Sequence, residues 1–153
     1  SAGVDFIAFE TIPSLFEAEA ISLAIGETEW KTAGAWISFT CKDASSVVSG
    51  DAFSTCIEAV RDVDNVFAVG VNCTAPEHIL GLLATANKCT EKACVVYPNR
   101  GSSWSSTTGW SSAPQDTKMV DWIDKFIVAG ARIIGGCCQT TPDDTRDIVA
   151  RIK

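Results

Sequence analysis

Three cysteines carry the clearest chemical signal in this sequence. Cys73 belongs to the segment GVNC, while Cys137 and Cys138 are adjacent in the segment GGCC. Three thiolates around one ion leave a fourth position open, which is the arrangement of a catalytic zinc site. Neighbouring residues of a regular strand point to opposite faces, so the adjacent cysteines can share one ion only where the chain bends. Gly135 and Gly136 precede them and give the backbone the freedom to bend there.

Other roles for these thiols stay open on residue type and spacing alone. Free cysteine is among the most buried residue types, so all three are also compatible with a core role. A strained disulfide between the adjacent pair is a third alternative. The seven cysteines form an odd count without a Cys-x-x-Cys spacing, which favours free or metal-bound thiols in a reducing compartment. We interpret the cysteines inside predicted helices and strands as structural: Cys56, Cys89 and Cys94.

Polar residues follow the apolar runs of the chain in short sets. Glu10, Thr11 and Asn72 each stand at the end of such a run, and we expect them to contact a substrate. The carboxyl ends of parallel strands meet at one edge of a sheet, and that edge carries the active site of α/β proteins. The complete sets are Glu10 and Thr11; Cys41 and Asp43; Asn72, Cys73 and Thr74; Asn99 and Arg100; Cys137 and Cys138.

Alternating strands and helices must position these sets. Five apolar runs are too short for helices, so we predict buried strands at residues 3–9, 35–40, 66–71, 93–97 and 131–134. Amphipathic segments between and after them predict five helices, the fourth over residues 116–129. Continuously apolar strands that alternate with helices indicate a parallel sheet and an α/β fold.

The convergence of the polar sets at one edge favours a barrel. A complete (β/α)8 barrel has eight units and typically about 250 residues. The predicted strands and helices therefore correspond to about five βα units of a partial TIM barrel, in one domain over residues 1–153.

Local signals predict how several of these elements begin and end. Asp51 is the predicted N-cap of the second helix, and Thr74 with Glu77 forms a predicted capping box for the third. Gly26 is the predicted end of the first helix. The Ser/Thr/Gly-rich segment 101–112 is a predicted loop, whose Trp104 and Trp110 are candidates for contact with a cationic ligand.

Charge and composition exclude several classes of function. The formal net charge is −7 without a basic stripe, which argues against nucleic acid and anionic membranes as partners. No window approaches 18 uncharged apolar residues, so a transmembrane helix is not expected. A single histidine without a nucleophilic serine motif argues against a hydrolytic triad.

Five segments together resemble the homocysteine S-methyltransferase family. Their order and spacing match the C-terminal portion of that family, and the resemblance covers nearly the whole chain. FETIP and YPN are more similar to the branch that uses S-methylmethionine or S-adenosylmethionine than to the betaine branch. The segments are FETIP (9–13), WISFTCKD (36–43), GVNCT (70–74), YPNRG (97–101) and GGCCQTTP (135–142).

The resemblance implies a TIM barrel that transfers a methyl group from a sulfonium donor to homocysteine in the cytoplasm, with Zn²⁺ as cofactor. It implies that Cys73, Cys137 and Cys138 bind the zinc and that Glu10 holds the amino group of homocysteine. Two alternatives remain: a non-catalytic fragment or binding module of the family, and a thiol redox protein that uses Cys137 and Cys138.

Overall fold

The structure is a computed structural model that describes residues 3–27, 34–102, 104–111 and 118–153 of the 153-residue chain. The strands are β1 (Phe6–Ile12), β2 (Gly34–Phe39), β3 (Val66–Asn72), β4 (Ala93–Tyr97), β5 (Trp104–Ser105), β6 (Gly109–Trp110) and β7 (Ala131–Ile134). The helices are α1 (Leu15–Glu27), α2 (Phe53–Val60), α3 (Pro76–Cys89), α4 (Val120–Val128) and α5 (Pro142–Ile152). Among these helices, none combines the length and the apolar character that crossing a bilayer requires.

The main sheet has five strands in the order β1-β2-β3-β4-β7, and every neighbouring pair is parallel. The helices α1 to α4 lie between successive strands of this sheet in the chain, and α5 follows β7. This arrangement confirms the predicted α/β fold of five βα units. Because the strands are parallel and neighbours in chain order, their carboxyl ends line one edge of the sheet.

The two faces of the sheet differ in what covers them. On β2, Ile37 and Phe39 are fully buried in the core that the helices build, and Phe39 packs edge-on against Phe53 of α2. Side chains alternate between faces along a strand, so Trp36 lies on the opposite face. Its ring centroid is 5.0 Å from that of Phe6 and 6.2 Å from that of Tyr97. An aromatic layer therefore covers the face of the sheet that the helices leave open.

The first strand extends further than its apolar run. We predicted a strand over residues 3–9 with Glu10 and Thr11 after it, but β1 runs from Phe6 to Ile12 and contains both residues. The register against β2 shifts between Phe9 and Ile12, and Thr11 has a left-handed φ of 63°. This irregularity of the β-bulge type allows the pairing with β2 to continue past the two polar residues to Ile12.

Two predicted helix caps are wrong, because their side-chain oxygens have partners elsewhere in the fold. The N-cap of α2 is Ala52 without a side-chain bond, while Asp51 accepts a hydrogen bond from the backbone N–H of Leu15 at 2.9 Å. The N-cap of α3 is Ala75, again without a side-chain bond. Thr74 Oγ1 instead accepts from the backbone N–H of Cys41 and donates to the carbonyl of Asn72, both at 2.9 Å.

Other element ends also differ from the sequence predictions. Gly26 lies inside α1, which continues to Glu27, so this glycine does not end the helix. The predicted loop 101–112 contains an antiparallel hairpin in which Trp104 pairs with Trp110. The predicted helix start at residue 116 lies outside the described residues. At the start of α5, Thr141 and Asp144 form a reciprocal capping box.

Candidate metal centre

Three cysteines meet at the carboxyl edge of the sheet. The Sγ atoms of Cys73 and Cys138 are 3.3 Å apart, and those of Cys137 and Cys138 are 4.0 Å apart. All three Sγ atoms lie within 4.8 Å of one another, and each side chain is half-buried. In the part of the chain that the structure describes, this is the one group of three or more cysteine, histidine or acidic residues close enough to share an ion.

The backbone that follows β4 holds these cysteines together. Cys73 donates its N–H to the carbonyl of Tyr97 at 3.2 Å, and Cys137 donates to the carbonyl of Pro98 at 2.9 Å. Arg100 donates its own N–H to the carbonyl of Cys138 at 3.1 Å. The segment 97–100 thus hydrogen-bonds to each of the three residues, although they come from two separate strand ends. The backbone of this segment therefore fixes the three cysteines relative to one another.

The chain turns sharply at the cysteines themselves and just after them. Cys73 has a left-handed φ of 50°, and Gln139 one of 64°. Such conformations are unfavourable for residues with a Cβ and concentrate at functional sites. Neither Gly135 nor Gly136 has a positive φ, so the chain reaches the two cysteines without a left-handed glycine. Gly136 instead supplies space: a Cβ there would lie 2.3 Å from Thr140 Oγ1.

The chemistry and spacing of the three thiols suit a cation that would be bound between them. Burial above all, and then the adjacent thiols of Cys137 and Cys138, raise the pKa of Cys73 to about 12. The thiolate form of Cys73 is therefore unfavourable unless a nearby positive charge compensates it. Thiolate sulfur is a preferred ligand of zinc, and a tetrahedral site with Zn–S distances of ~2.3 Å requires sulfur separations of about 3.8 Å. The observed separations bracket that value, so the donor set fits the predicted zinc ion.

The remaining cysteines are separate from this cluster. Cys41 also ends a strand, but it is buried among core residues, and desolvation above all raises the pKa of its thiol to about 12. Cys56 and Cys94 are buried in the same core, as predicted for structural residues, and Cys89 is half-buried against it. Position at a strand end therefore does not by itself bring a thiol into this cluster.

The substrate-binding candidates occupy the same edge of the sheet. Asn72, which is fully buried, accepts from the backbone N–H of Thr11 at 2.9 Å and donates its amide to Thr11 Oγ1 at 2.8 Å. This reciprocal pair joins the ends of β1 and β3 across β2. The exposed carboxylate of Glu10 accepts a hydrogen bond from the hydroxyl of Tyr97 at 3.1 Å. That hydroxyl is also 2.5 Å from Ser38 Oγ.

Tyr97 and Ser38 are polar residues that the sequence predictions did not assign to the site. Burial above all raises the pKa of Tyr97 to about 12. A hydroxyl at the end of the otherwise apolar run ACVVY was the available signal for Tyr97. Ser38 carries the same kind of signal inside the apolar run AWISF, where a fully buried hydroxyl requires a partner.

Two further features border the centre. The guanidinium of Arg100 lies 3.5 Å from the carboxylate of Asp144, which caps α5. The hairpin of β5 and β6 exposes the side chains of Trp104 and Trp110 to solvent. Residues directly opposite in an antiparallel pair present their side chains on the same face, so the two tryptophans share one side of the hairpin. Their predicted contact with a cationic ligand stays a prediction.

Comparison with known proteins gives consistent matches. The family model described as homocysteine S-methyltransferase matches residues 1–152. Homocysteine S-methyltransferase 2 from Arabidopsis thaliana is 41% identical over 158 residues, covering 99% of this chain and 46% of the relative. Selenocysteine methyltransferase from Astragalus bisulcatus is also 41% identical, covering 96% of this chain and 44% of the relative. The chain thus spans about half the length of these curated relatives.

Solved structures agree with these relatives. The homocysteine methyltransferase MmuM from Escherichia coli, in its metallated form, superimposes with a TM-score of 0.80 at 32% identity. The match covers 98% of this chain and 46% of that structure. The oxidized form of MmuM gives a TM-score of 0.82 at 33% identity over the same share of each chain. The five βα units are therefore those of a TIM-barrel type of fold, as predicted.

Proposed function

Because the chain belongs to the homocysteine S-methyltransferase family, we propose that it transfers a methyl group from a sulfonium donor to homocysteine, giving methionine. We propose S-methylmethionine or S-adenosylmethionine as the donor and Zn²⁺ as the cofactor. Residues 1–153 are then the C-terminal part of a homocysteine-binding TIM-barrel domain. The observation that carries this proposal is the cluster of three thiols at the carboxyl edge of the parallel sheet.

In this proposal Cys73, Cys137 and Cys138 hold the zinc ion through their sulfur atoms. Three protein ligands leave one coordination position for a substrate. The ion, when bound, lowers the pKa of a coordinated thiol, so that the sulfur of homocysteine is a thiolate at neutral pH. A free thiol with a pKa near 8.5 is only a few per cent ionised at that pH. Attack of a thiolate on a sulfonium methyl requires no protein base, which suits a cluster without a histidine.

Recognition of the amino acid falls to the polar residues on the same edge. Glu10 offers an exposed carboxylate, which is the chemical complement of the ammonium group of homocysteine. Thr11 and Asn72 fix the backbone beside Glu10 through their reciprocal hydrogen bonds. We propose all three as substrate-binding residues, and orientation of this kind contributes several kcal/mol to a transfer reaction.

Selenocysteine is a second candidate acceptor. The relative named for selenocysteine methylation is as similar to this chain as the first relative named for homocysteine, with 41% identity in each case. A selenol ionises more readily than a thiol, so it depends less on the metal for its nucleophilicity. We therefore propose that the two acceptors be compared directly in any assay.

We also propose a reducing, cytoplasmic setting without nucleic acid or membrane partners. All seven cysteines are free thiols in the structure. A net charge of −7 opposes binding to other polyanions. Both observations suit an enzyme of small sulfur metabolites.

The test uses the product of the complete reading frame that contains this sequence. We expect one zinc ion per chain and methyl transfer to homocysteine from S-methylmethionine, S-adenosylmethionine or both. Glu10→Ala should raise the KM for homocysteine and leave the zinc content unchanged. A zinc-loaded protein that methylates no acceptor would contradict the proposal, and so would a metal-free protein with a reversible disulfide between Cys137 and Cys138, which is the thiol redox alternative.

A further inference from the structure

Tyr97, at the end of β4, contacts both the thiol cluster and the substrate-binding candidate Glu10. Its hydroxyl contacts the carboxylate of Glu10 at 3.1 Å, and its carbonyl accepts the N–H of Cys73 at 3.2 Å. The residue that fixes the backbone of one thiol therefore also holds the carboxylate. The contact with Glu10 joins segments that are 87 positions apart in the chain.

The donor and the acceptor can be assigned in each hydrogen bond of the Tyr97 hydroxyl. A carboxylate accepts and cannot donate, so Tyr97 donates its single proton to Glu10. Ser38, whose side chain is fully buried, must then donate its own proton to the Tyr97 oxygen. Burial above all raises the pKa of Tyr97 to about 12, so the phenol keeps this proton at physiological pH. The result is a chain of two hydrogen bonds, in which Ser38 donates to Tyr97 and Tyr97 donates to Glu10.

Such a chain matters because an exposed glutamate has several rotamers of similar energy. Fixing one of them costs conformational entropy, and a hydrogen bond made before the substrate arrives removes that cost from binding. The exposed Glu10 is held by a half-buried tyrosine, which in turn is held by a buried serine. The buried serine thus restrains the tyrosine, and the tyrosine restrains the exposed carboxylate.

We propose that Tyr97, supported by Ser38, is a positioning residue that makes the centre selective for thiols carrying an amino group. It holds the Glu10 carboxylate at a fixed place relative to Cys73, so that the ammonium group and the sulfur of one amino acid are recognised together. This inference rests on the proposed function, since it assumes an amino acid thiol as the acceptor. It assigns the selectivity for the acceptor thiol to residues that lie outside the thiol cluster.

The test compares two thiols that differ in the amino group alone. Homocysteine carries it, whereas 4-mercaptobutyrate has the same carbon chain, thiol and carboxylate without it. Titration calorimetry on the zinc-loaded product of the complete reading frame gives a Kd for each thiol. Tyr97→Phe should raise the Kd for homocysteine about tenfold, which is about 1.4 kcal/mol. The Kd for 4-mercaptobutyrate and the zinc content should stay unchanged.

A double variant separates positioning from simple damage to the fold. Tyr97→Phe leaves the Ser38 hydroxyl buried without its partner, and Ser38→Ala together with Tyr97→Phe removes that orphaned group. The double variant should keep the selective loss for homocysteine. Recovery of homocysteine binding in it, an equal loss for both thiols, an unchanged Kd for homocysteine, or loss of zinc would each overturn the inference. An unsubstituted zinc protein that binds no homocysteine would instead reject the proposed function itself.

Discussion

The backbone N–H of Cys73 donates a hydrogen bond to the carbonyl of Tyr97 at 3.2 Å, which ties the end of β3 to the end of β4. This bond continues the ladder of the parallel sheet by one step beyond the pairing of Asn72 with Tyr97. It forms although Cys73 has a left-handed φ of 50°, so the sheet itself stabilises the unusual conformation of this residue. The position of the first thiol is therefore set by strand pairing.

Gly136→Ala should weaken zinc binding. An added Cβ would lie 2.3 Å from Thr140 Oγ1 and 2.7 Å from Thr140 Cβ, so Thr140 must move. The Thr140 hydroxyl donates to the carbonyl of Cys137 at 2.6 Å, and its displacement disturbs the backbone of a predicted ligand. We expect zinc affinity to fall about tenfold or more, as for other losses of support around metal ligands. Competition with a chromophoric chelator measures it.

The matched control for this substitution is Gly135→Ala. Its Cβ would meet Tyr97 Cβ at 3.5 Å, which is an ordinary van der Waals contact. Neither glycine has a positive φ, so the two variants differ mainly in the space available. Equal zinc affinities for the two variants would show that packing at residue 136 does not support the metal centre.

Asn72→Ala should destabilise the protein by about 1–3 kcal/mol, because it removes both hydrogen bonds to Thr11 and leaves a buried space. Asn72 is fully buried, and its amide bridges the ends of β1 and β3. Thr11→Val is the matched comparison. It removes only the hydroxyl and keeps the bond from the Thr11 N–H to the Asn72 carbonyl oxygen, so its effect should be smaller. Urea denaturation measures both, and a larger effect for Thr11→Val would contradict this account.

The sequence was most informative where local pattern and tertiary environment agree. The predicted strands at 93–97 and 131–134 coincide with β4 and β7, since continuously apolar runs of that length suit a sheet buried under helices. The meeting of Cys73 with Cys137 and Cys138 also followed from their positions after two parallel strands. The strands needed only residue type and run length, whereas residue type and spacing left other roles open for the three cysteines, and the resemblance to the family singled them out as ligands.

Local signals failed where a side chain has a partner distant in the chain. Asp51 and Thr74 have the residue types of helix N-caps, but their oxygens bond to Leu15 and Cys41 instead. A window of a few residues contains no trace of partners 36 and 33 positions away. The contact between Ser38 and Tyr97 was out of reach for the same reason. It depends on the alignment of β2, β3 and β4, which sequence patterns do not specify.

The stability that Asp144 contributes should disappear in acid. Burial raises the pKa of its carboxyl, but hydrogen bonds from Thr141 and the charge of Arg100 outweigh burial and hold the pKa below its usual 3.8. A carboxyl whose pKa is depressed by folding stabilises the protein above its unfolded pKa and loses this effect as the pH falls through its folded pKa. The difference in unfolding free energy between the unsubstituted protein and Asp144→Asn should thus be constant above pH ~5 and shrink below pH ~4. Denaturation curves at several pH values measure it, and a difference that grows in acid would contradict the assignment.

Each of the substitutions Cys73→Ala, Cys137→Ala and Cys138→Ala should abolish zinc binding and methyl transfer. The three sulfur atoms lie within 4.8 Å of one another, and each is a predicted ligand that no other described cysteine is placed to replace. Two thiolates hold the ion poorly, and without it the substrate thiol is mostly protonated at neutral pH. Metal analysis of the purified variants, made in the product of the complete reading frame, measures the first effect, and a methyl-transfer assay measures the second.

Cys41→Ala is the control for these three variants, because Cys41 follows β2 at the same edge of the sheet as the metal centre. Its thiol is buried in the helix-covered core and lies outside the sulfur cluster. Its replacement removes apolar contacts in the core, so we expect a lower melting temperature with the zinc content and the methyl transfer preserved. Full zinc occupancy in Cys138→Ala would contradict the ligand assignment. So would loss of zinc in Cys41→Ala together with its retention in Cys73→Ala, since the thiol at the end of β2 would then be the ligand in place of the one after β3.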